Sequence, residues 1–266
     1  MSLRSFFASL DKISFLQINV WEFSYLSLFR EYARLFFLKA MLSHPQKTIQ
    51  GFCRYQNLVK SEKYSLTKPK SIISIPDESI FIEKVKKQRS MPIVGLGFCL
   101  KPDKQENFPS SCPSGRANHD CLYLEKGETY PACNSCSIRE ISIKCLNSGY
   151  SVYIMTSARD IALDVLIPQI NQGKFPSAIL FLCPYSINAI IPALLICEID
   201  MVLFPYSSGY CQEYHQWLQA DIGIKKERTT LSTESIKKLL YILDKTGKNI
   251  RQFQRFKRQG YIFFPE

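Results

Sequence analysis

Five cysteines lie close together in the middle of this 266-residue chain, and their spacing is typical of a metal centre. They are Cys99, Cys112, Cys121, Cys133 and Cys136. Cys133 and Cys136 have the Cys-x2-Cys spacing that lets two sulfurs hold one ion, because thiolates are soft, anionic ligands for zinc and iron–sulfur clusters. The others come singly, which favours a cluster gathered from loops over a zinc ribbon. We therefore expect zinc or an iron–sulfur cluster, with Cys99, Cys112, Cys133 and Cys136 as first-choice ligands.

Cys183 and Cys211 are second-choice ligands together with Cys121, and they also offer a different chemistry. A lone cysteine near a base is a candidate nucleophile, and His215 follows Cys211 by four residues. The sequence therefore leaves open a thiol-dependent enzyme that uses Cys183 or Cys211. Common nucleotide and hydrolase functions lack their motifs, because Gly-x-Gly-x-x-Gly, Walker and Gly-x-Ser-x-Gly sequences are absent from the chain.

Two more features could carry chemistry. Cys133 and Cys136 precede a predicted helix, whose dipole favours a thiolate, so a redox dithiol is an alternative to metal binding. We favour metal, because a thioredoxin-like motif directly follows a strand and this pair follows a long loop. His119 is a further candidate ligand. Cys145 and Cys197 match apolar helix positions and are predicted to be core residues, and Cys53 is predicted to be structural.

Short apolar runs alternate with helical segments from residue 91 onwards. The runs at 93–98, 151–155, 178–182 and 201–204 predict strands, and the intervening helices are predicted to begin at Ser137, Ser157 and Ser186. Such alternation implies right-handed crossovers. We therefore predict a three-layer α/β fold, with a mostly parallel sheet flanked by helices and an N-terminal helical extension.

The predicted sheet explains how distant cysteines meet. Cys99, Cys183 and Cys211 follow strand ends, and Cys133 and Cys136 precede a helix start. In a parallel sheet these positions share the edge at which open α/β proteins bind ligands. All five are therefore predicted to lie along one edge of the sheet.

The charge is distributed differently from the cysteines. The chain has 34 Lys+Arg and 23 Asp+Glu, a net charge of +11. The basic excess lies in residues 1–90, a predicted helical extension, and in residues 231–266, a predicted helix over 233–245 with a basic tail over 248–258. The cysteine-rich core over 91–230 is mildly acidic. Charged content of 21% and apolar content of 46% exclude a disordered or collagen-like chain.

The basic ends suggest surfaces rather than a site. Residues 25–42 can form a helix with a wide apolar face, which is typical of core packing or of peripheral membrane contact through residues 1–45. Residues 45–70 are predicted to be a polar connection. Nucleic-acid binding by the basic tail is disfavoured, because such a run is more often a solvated helix face.

The start of the chain lacks the features of a secretory signal, which predicts a cytoplasmic protein, with membrane association as an alternative. Residues 178–197 carry no charge, but their prolines and polar residues favour a strand, a loop and a helix over a membrane span.

Several short motifs resemble the domain-of-unknown-function 116 family over about residues 91–222. They are Cys99-Leu-Lys, Cys112-Pro, Cys133-x-x-Cys136-Ser-Ile-Arg-Glu-Ile, Gly149-Tyr-x-Val-Tyr-Ile, a strand ending at Cys183, and the Gly209 to Cys211 segment. The chain departs from the family at Tyr130, where the family has a cysteine, and a segment with Cys121 looks inserted. The resemblance implies a cysteine-rich α/β protein with a metal or iron–sulfur centre and a hydrophobic N-terminal region, and it implies no reaction.

Taken together, these patterns predict a cytoplasmic protein that binds metal or an iron–sulfur cluster. The alternatives are a thiol-dependent enzyme and an adaptor that contacts membrane or nucleic acid through its basic ends.

Overall fold

Four apolar strands form the centre of the protein, because their residues are buried on both faces of the sheet. The computed structural model describes residues 34–61, 71–103, 110–225, 227–247 and 256–266. The strands are β1 (Ile73–Ile75), β2 (Ile93–Gly97), β3 (Ser151–Met155), β4 (Ser177–Leu182), β5 (Asp200–Pro205), β6 (Phe256–Gln259) and β7 (Ile262–Pro265). The four strands predicted from the sequence are β2 to β5, within one residue at each end.

The helices that connect and cover the strands are mostly short. They are α1 (Lys39–Ser43), α2 (Pro45–Lys60), α3 (Glu78–Lys87), α4 (Leu122–Lys126), α5 (Ser137–Asn147), α6 (Ala158–Ile161), α7 (Ile167–Gln172), α8 (Pro184–Ile196), α9 (Tyr214–Asp221) and α10 (Thr233–Thr246). A π turn, Arg34–Leu38, leads into α1, and a second one, Ala162–Leu166, joins α6 to α7. Of the predicted helix over residues 25–42, the first half, residues 25–33, lies outside the described residues, and the second half forms the first π turn and most of α1. The predicted polar connection over residues 45–70 is wrong in its first part, because α2 occupies that part.

The sheet has seven strands in the order β1-β5-β4-β2-β3-β7-β6. Strands β5, β4, β2 and β3 are parallel, and β1, β7 and β6 each run antiparallel to a neighbour. The prediction of a mostly parallel sheet is therefore confirmed. Of the basic tail predicted over residues 248–258, residues 248–255 lie outside the described residues, and residues 256–258 belong to strand β6 rather than to a helix face.

Helices cover both faces of the sheet, which confirms the three-layer architecture. Side chains from α1, α2, α7 and α8 pack on one face, and side chains from α3, α5 and α10 pack on the other. Helix α2 approaches α8 closely at Gly51, where a Cβ atom would lie 2.6 Å from the Ile196 Cα. Only glycine allows the two helix backbones to come this near.

The order in which successive strands are added to the sheet reverses at β2. The first crossover places β3 on one side of β2, and the next places β4 on its other side. The carboxyl ends of β2 and β4 therefore flank a topological switch point, the position at which open α/β sheets hold ligands.

Helix starts agree only in part with the sequence prediction. Ser157 accepts a hydrogen bond from the Asp160 amide and caps α6, as predicted. Helix α5 follows Cys136 without a side-chain cap, so Ser137 is its first residue and not its cap. Helix α8 begins at Pro184, which fits the first helical position, and Ser186 lies inside the first turn.

The uncharged stretch over residues 178–197 forms most of β4 and α8, with a break between them. Within the described ranges, no helix has the length and apolar character needed to cross a bilayer.

Candidate functional site

Three cysteines meet at the switch point of the sheet. Cys99 lies in the 3-10 turn after β2, Cys183 directly follows β4 at the start of α8, and Cys211 lies in the loop after β5. The chain order of the parallel strands explains the meeting, because all of these strands end at the same edge. The three residues are only 6%, 8% and 3% exposed, respectively, and all line one cavity.

Cys183 and Cys211 form a hydrogen-bonded pair. The Cys211 backbone N–H donates to the Cys183 Sγ over 3.4 Å, and the two thiols are also hydrogen-bonded to each other. This bond and burial raise the pKa of Cys183 well above its ordinary value. The same bond lowers the pKa of Cys211, and the Lys225 ammonium lowers it further, which outweighs the opposite effect of burial. Of the two thiols, Cys211 is therefore the one that loses its proton more readily.

Lys225 supplies the positive charge at this pair. Its Nζ donates to the Cys211 Sγ over 3.4 Å. His215, predicted as a base for Cys211, is exposed on α9. Lys225, and not His215, is therefore the basic residue beside Cys211. Its ammonium group stabilises a thiolate, whereas a histidine base would accept the proton of the thiol.

The loop that carries Lys225 is tied to the cysteine-rich loop before it. The Arg116 guanidinium donates to the Lys225 carbonyl oxygen and forms an ion pair with Asp103 over 2.9 Å. Arg228 donates to the Ser135 carbonyl oxygen over 2.6 Å. These side chains hold the two loops together and so fix the position of Lys225.

Gly97 and Tyr206 form the floor of the site with Cys99. The Gly97 N–H donates to the Tyr206 hydroxyl oxygen over 2.9 Å, and a Cβ atom on Gly97 would lie 2.5 Å from that oxygen. The Tyr206 hydroxyl in turn donates to the Cys99 thiol. Burial raises the pKa of Cys99, so this thiol keeps its proton. Cys99 is therefore an uncharged neighbour of the Cys183–Cys211 pair. Glycine is needed at position 97 because any side chain there would collide with the Tyr206 hydroxyl.

The cavity above the three thiols has a volume of about 170 Å³. Its walls come from the first π turn, from α6 and the second π turn, and from α8 and α9. Lys225 and Tyr206 line it together with the three thiols, and Ser157, Ser186 and Asp221 are the polar residues on its helical walls. A ligand in the cavity would thus contact the thiols with one end and apolar side chains with the rest.

The other four predicted ligands form a second group in the loop before α5. They are Cys112, Cys121, Cys133 and Cys136, all partly exposed. Burial raises the pKa of Cys136, whereas the backbone amides of Arg139 and Ile138 in the first turn of α5 act against that rise. Burial raises the pKa of Cys121 to about 11, and the charge of Cys136 contributes.

Lys101 organises this second group. Its side chain is 1% exposed, and its Nζ donates to the carbonyl oxygens of Gly115, Asn118 and Asp120 and to the Asn118 Oδ1. Burial lowers the pKa of Lys101, and the nearby charges of Cys112 and Cys121 oppose that shift. One buried ammonium thus ties the loop together in the middle of its cysteines.

The structure divides the predicted first-choice ligand set between the two groups. Cys99 interacts with Cys211, Tyr206 and Lys225, whereas Cys112, Cys133 and Cys136 interact among themselves. In the part of the chain that the structure describes, no three or more His, Cys, Asp or Glu side chains are arranged to hold an ion. Neither group, as placed, fits a preformed metal or iron–sulfur centre.

His119 has a structural role in a polar cavity of about 530 Å³ beside β3. Its Nδ1 lies 2.7 Å from the Ile154 carbonyl oxygen and its Nε2 lies 3.0 Å from the Thr156 Oγ1. Thr156 donates its own proton to Asp160 over 2.6 Å, so the three side chains form one hydrogen-bonded chain. The ring also stacks on Tyr261, with 4.2 Å between the ring centroids. The residue predicted as a metal ligand therefore has its nitrogens occupied by protein oxygens.

Two residues of the thiol site were missed in the sequence. Tyr206 directly follows β5, as Cys183 follows β4, so the rule that found the cysteines would also have found it. Lys225 could not be found in this way, because it lies in the loop after α9 and does not follow a strand. Nothing in the sequence indicates that this loop contacts Cys211.

No family model, curated protein or solved structure matches the chain. The resemblance to the domain-of-unknown-function 116 family stays a prediction based on its short motifs.

Proposed function

We propose that the protein is a thiol-dependent enzyme with Cys211 as its nucleophile. The observation that carries the proposal is the placement of the Cys211 Sγ, 3.4 Å from the Lys225 ammonium and hydrogen-bonded to the Cys183 thiol, in a cavity at the switch point. Ligands of open α/β sheets bind at this position, which is where a reactive group is useful.

Each residue of the pair has a distinct role. The Cys211 thiolate attacks an electrophilic carbon of the bound substrate, and the Lys225 ammonium stabilises that thiolate before the attack. Cys183 keeps its proton and hydrogen-bonds to the reacting sulfur, which stabilises the Cys211 thiolate. Tyr206 and Cys99 are positioning residues, because they order the floor of the cavity through the Gly97 amide.

Alkylation by iodoacetamide at neutral pH tests the nucleophile. We expect mass spectrometry to find Cys211 modified faster than the other buried cysteines, and Cys211→Ser to abolish that modification. Cys145→Ser is the matched control, since Cys145 is buried in the core and its thiol is protonated. Labelling confined to the exposed Cys53, with Cys211 unmodified in the folded protein, would contradict the proposal.

Metal binding by Cys112, Cys121, Cys133 and Cys136 is the second candidate function. It is supported by the gathering of these four thiols in one loop, beside the cations Lys101 and Arg228. Since the described residues are not arranged to hold an ion, binding would need the loop to rearrange around the metal. Anaerobic purification followed by metal analysis and an absorption spectrum tests it: about one equivalent of zinc or iron, lost in the Cys133→Ser variant, is the supporting result.

Peripheral membrane contact through residues 1–45 has one supporting observation. Leu38 and Leu42, one helical turn apart, are 56% and 76% exposed, and residues 1–33 lie outside the described residues. Flotation with anionic liposomes that is lost in a Leu38→Ser, Leu42→Ser double variant would support this contact, and flotation unchanged by that variant would refute it. A cytoplasmic location stays a prediction from the sequence.

A further inference from the structure

The cavity above Cys211 has apolar walls that come from three different elements. Phe36 lies in the first π turn, Ile161 and Leu166 lie around the second, and Ile190 and Ala193 lie on α8. Protein interiors are normally packed to high density and contain few voids larger than a water molecule. A cavity between apolar side chains of three helical segments is therefore better explained as a binding site than as imperfect packing.

Helix α8 has small residues where it faces this space. Ala189 and Ala193 both line the cavity, and residues four apart lie on the same face of a helix. Their neighbours Ile191, Leu194 and Leu195 are larger and are buried in the core. The cavity side of α8 thus has two alanines beside Ile190, whereas the core side has only large residues, and the alanines leave room in the cavity.

The cavity is mainly apolar, with its reactive groups together. Cys183, Cys211 and the Lys225 ammonium lie next to one another, and the helical walls are mostly hydrocarbon, as at Phe36, Ile190 and Ala193. Ser157, Ser186 and Asp221 are polar exceptions on these walls, and the Asp221 carboxylate accepts a hydrogen bond from the Ala158 N–H. The complementary ligand has a reactive polar group at one end and an apolar body. The apolar walls alone would accept any hydrocarbon, and the thiol end requires that this hydrocarbon end in an electrophile.

We infer that the cavity binds a short acyl chain, whose carbonyl carbon lies at the Cys211 Sγ, and that the substrate is an acyl thioester. This inference rests on the proposed function of Cys211. A cavity of about 150 Å³ holds a benzene-sized molecule, so one of about 170 Å³ accommodates roughly six to eight carbon atoms.

The reaction needs no other reactant. The Cys211 thiolate attacks the acyl carbon, a new carbon–sulfur bond forms, and the carbon–sulfur bond of the donor thioester breaks. The leaving thiolate takes a proton from solvent, and Cys183 keeps its own proton throughout. One thioester is exchanged for another, so no electrons are gained or lost.

Three thioesters of N-acetylcysteamine, carrying acetyl, hexanoyl or dodecanoyl groups, test the inference with the full-length protein. We expect acylation of Cys211, detected by mass spectrometry, to be fastest with the hexanoyl donor and slower with the acetyl donor on the order of 100-fold, since each methylene lost from an apolar pocket lowers the rate. Ala193→Phe fills the cavity and should remove the preference for hexanoyl. Phe36→Ala enlarges it and should shift the preference to the longer chain. Lys237→Phe adds the same ring on the exposed surface of α10, away from the cavity, and should change neither.

Two further measurements separate failure of the inference from failure of the proposed function. If iodoacetamide modifies Cys211 but acylation does not depend on chain length, the acyl site is wrong and the nucleophile stands. If neither reagent modifies Cys211, both are wrong. Isothermal titration of the Cys211→Ala variant with hexanamide and with acetamide tests binding without chemistry: we expect binding of hexanamide only, and equal or no binding of the two amides would overturn the acyl site.

Discussion

The backbone N–H of Gly97 donates to the hydroxyl oxygen of Tyr206 over 2.9 Å, so the end of β2 is tied to the residue that follows β5. Strand β4 lies between those two strands. The bond therefore spans the end of β4 and holds the ends of β2 and β5 together, and Cys99 and Cys183 follow the ends of β2 and β4.

Removal of this hydroxyl should weaken both the fold and the site. Tyr206→Phe leaves the buried Gly97 N–H without its acceptor, which typically costs about 1–3 kcal/mol. We expect the free energy of unfolding in urea to fall by that amount, and alkylation of Cys211 to slow. Tyr241→Phe is the control, because the Tyr241 side chain is exposed on α10. Equal stability of the two variants would show that the Gly97 bond contributes nothing.

Lys225 should set the pH at which Cys211 reacts. Because the pKa of Cys211 lies below the ordinary thiol value of 9.0, the rate of alkylation should reach half of its maximum well below pH 9. Lys225→Met removes the cation and should move this midpoint to higher pH. Lys126→Met, a change at a largely exposed lysine of α4, should leave it unchanged. A midpoint near pH 9 in the unaltered protein would contradict the assigned thiolate.

Lys101 should be needed for the structure of the cysteine-rich loop. Lys101→Met leaves the carbonyl oxygens of Gly115, Asn118 and Asp120 and the Asn118 Oδ1 without their shared donor, and loss of such a partner typically costs about 1–3 kcal/mol. Urea denaturation measures the loss. Lys237→Met, on the surface of α10, should change stability by less than about 0.5 kcal/mol. Faster alkylation of Cys112 and Cys121 in the Lys101 variant would show that the loop has opened.

Asp160 should stabilise the protein at neutral pH and lose that effect in acid. Burial raises the pKa of this carboxyl, but hydrogen bonds from Thr156 and Ser157 and the contact with His119 outweigh burial and hold it below the ordinary 3.8. The folded state thus binds the proton more weakly than the unfolded chain. The stabilisation is complete well above pH 3.8 and disappears as the pH falls through the folded-state pKa.

The measurement is unfolding of Asp160→Asn as a function of pH. At pH 7 we expect a loss of about 1–2 kcal/mol, the value of a hydrogen bond to a charged group, and the difference from the unaltered protein should narrow as the pH approaches 3. Asp244→Asn, at a largely exposed position, serves as the control. A loss that is constant from pH 7 to pH 3 would mean that the charge of Asp160 plays no part.

The sequence predicted the thiol site through its strand ends. Buried strands have continuous apolar sequences, and the carboxyl ends of parallel strands must meet, so Cys99, Cys183 and Cys211 could be placed together without coordinates. The loop over residues 100–135 could not be placed in the same way. Its course depends on Lys101, whose side chain bonds to oxygens of distant residues, and no periodicity records such bonds.

The C-terminal hairpin was missed for a different reason. Strand β6 alternates Phe256 and Arg258, facing inwards, with exposed Lys257 and Gln259, as an edge strand does. Arg258 forms ion pairs with Asp120 and Glu125, so one of the basic residues that suggested a solvated helix is in fact a structural contact. Helix α2 was missed because most of its residues are polar and only one side of it is buried.

The position of β7 beside β3 affects how the chain can fold during its synthesis. Strand β3 pairs with β2 early, but its other side finds its partner only when β7 emerges from the ribosome, after every other central strand. Until then β3 presents an unpaired, apolar edge, which is the kind of surface on which chains associate with one another. The β6–β7 hairpin is thus added late to the nascent sheet. Once β7 has paired with β3, the edge of β3 can no longer pair with another chain.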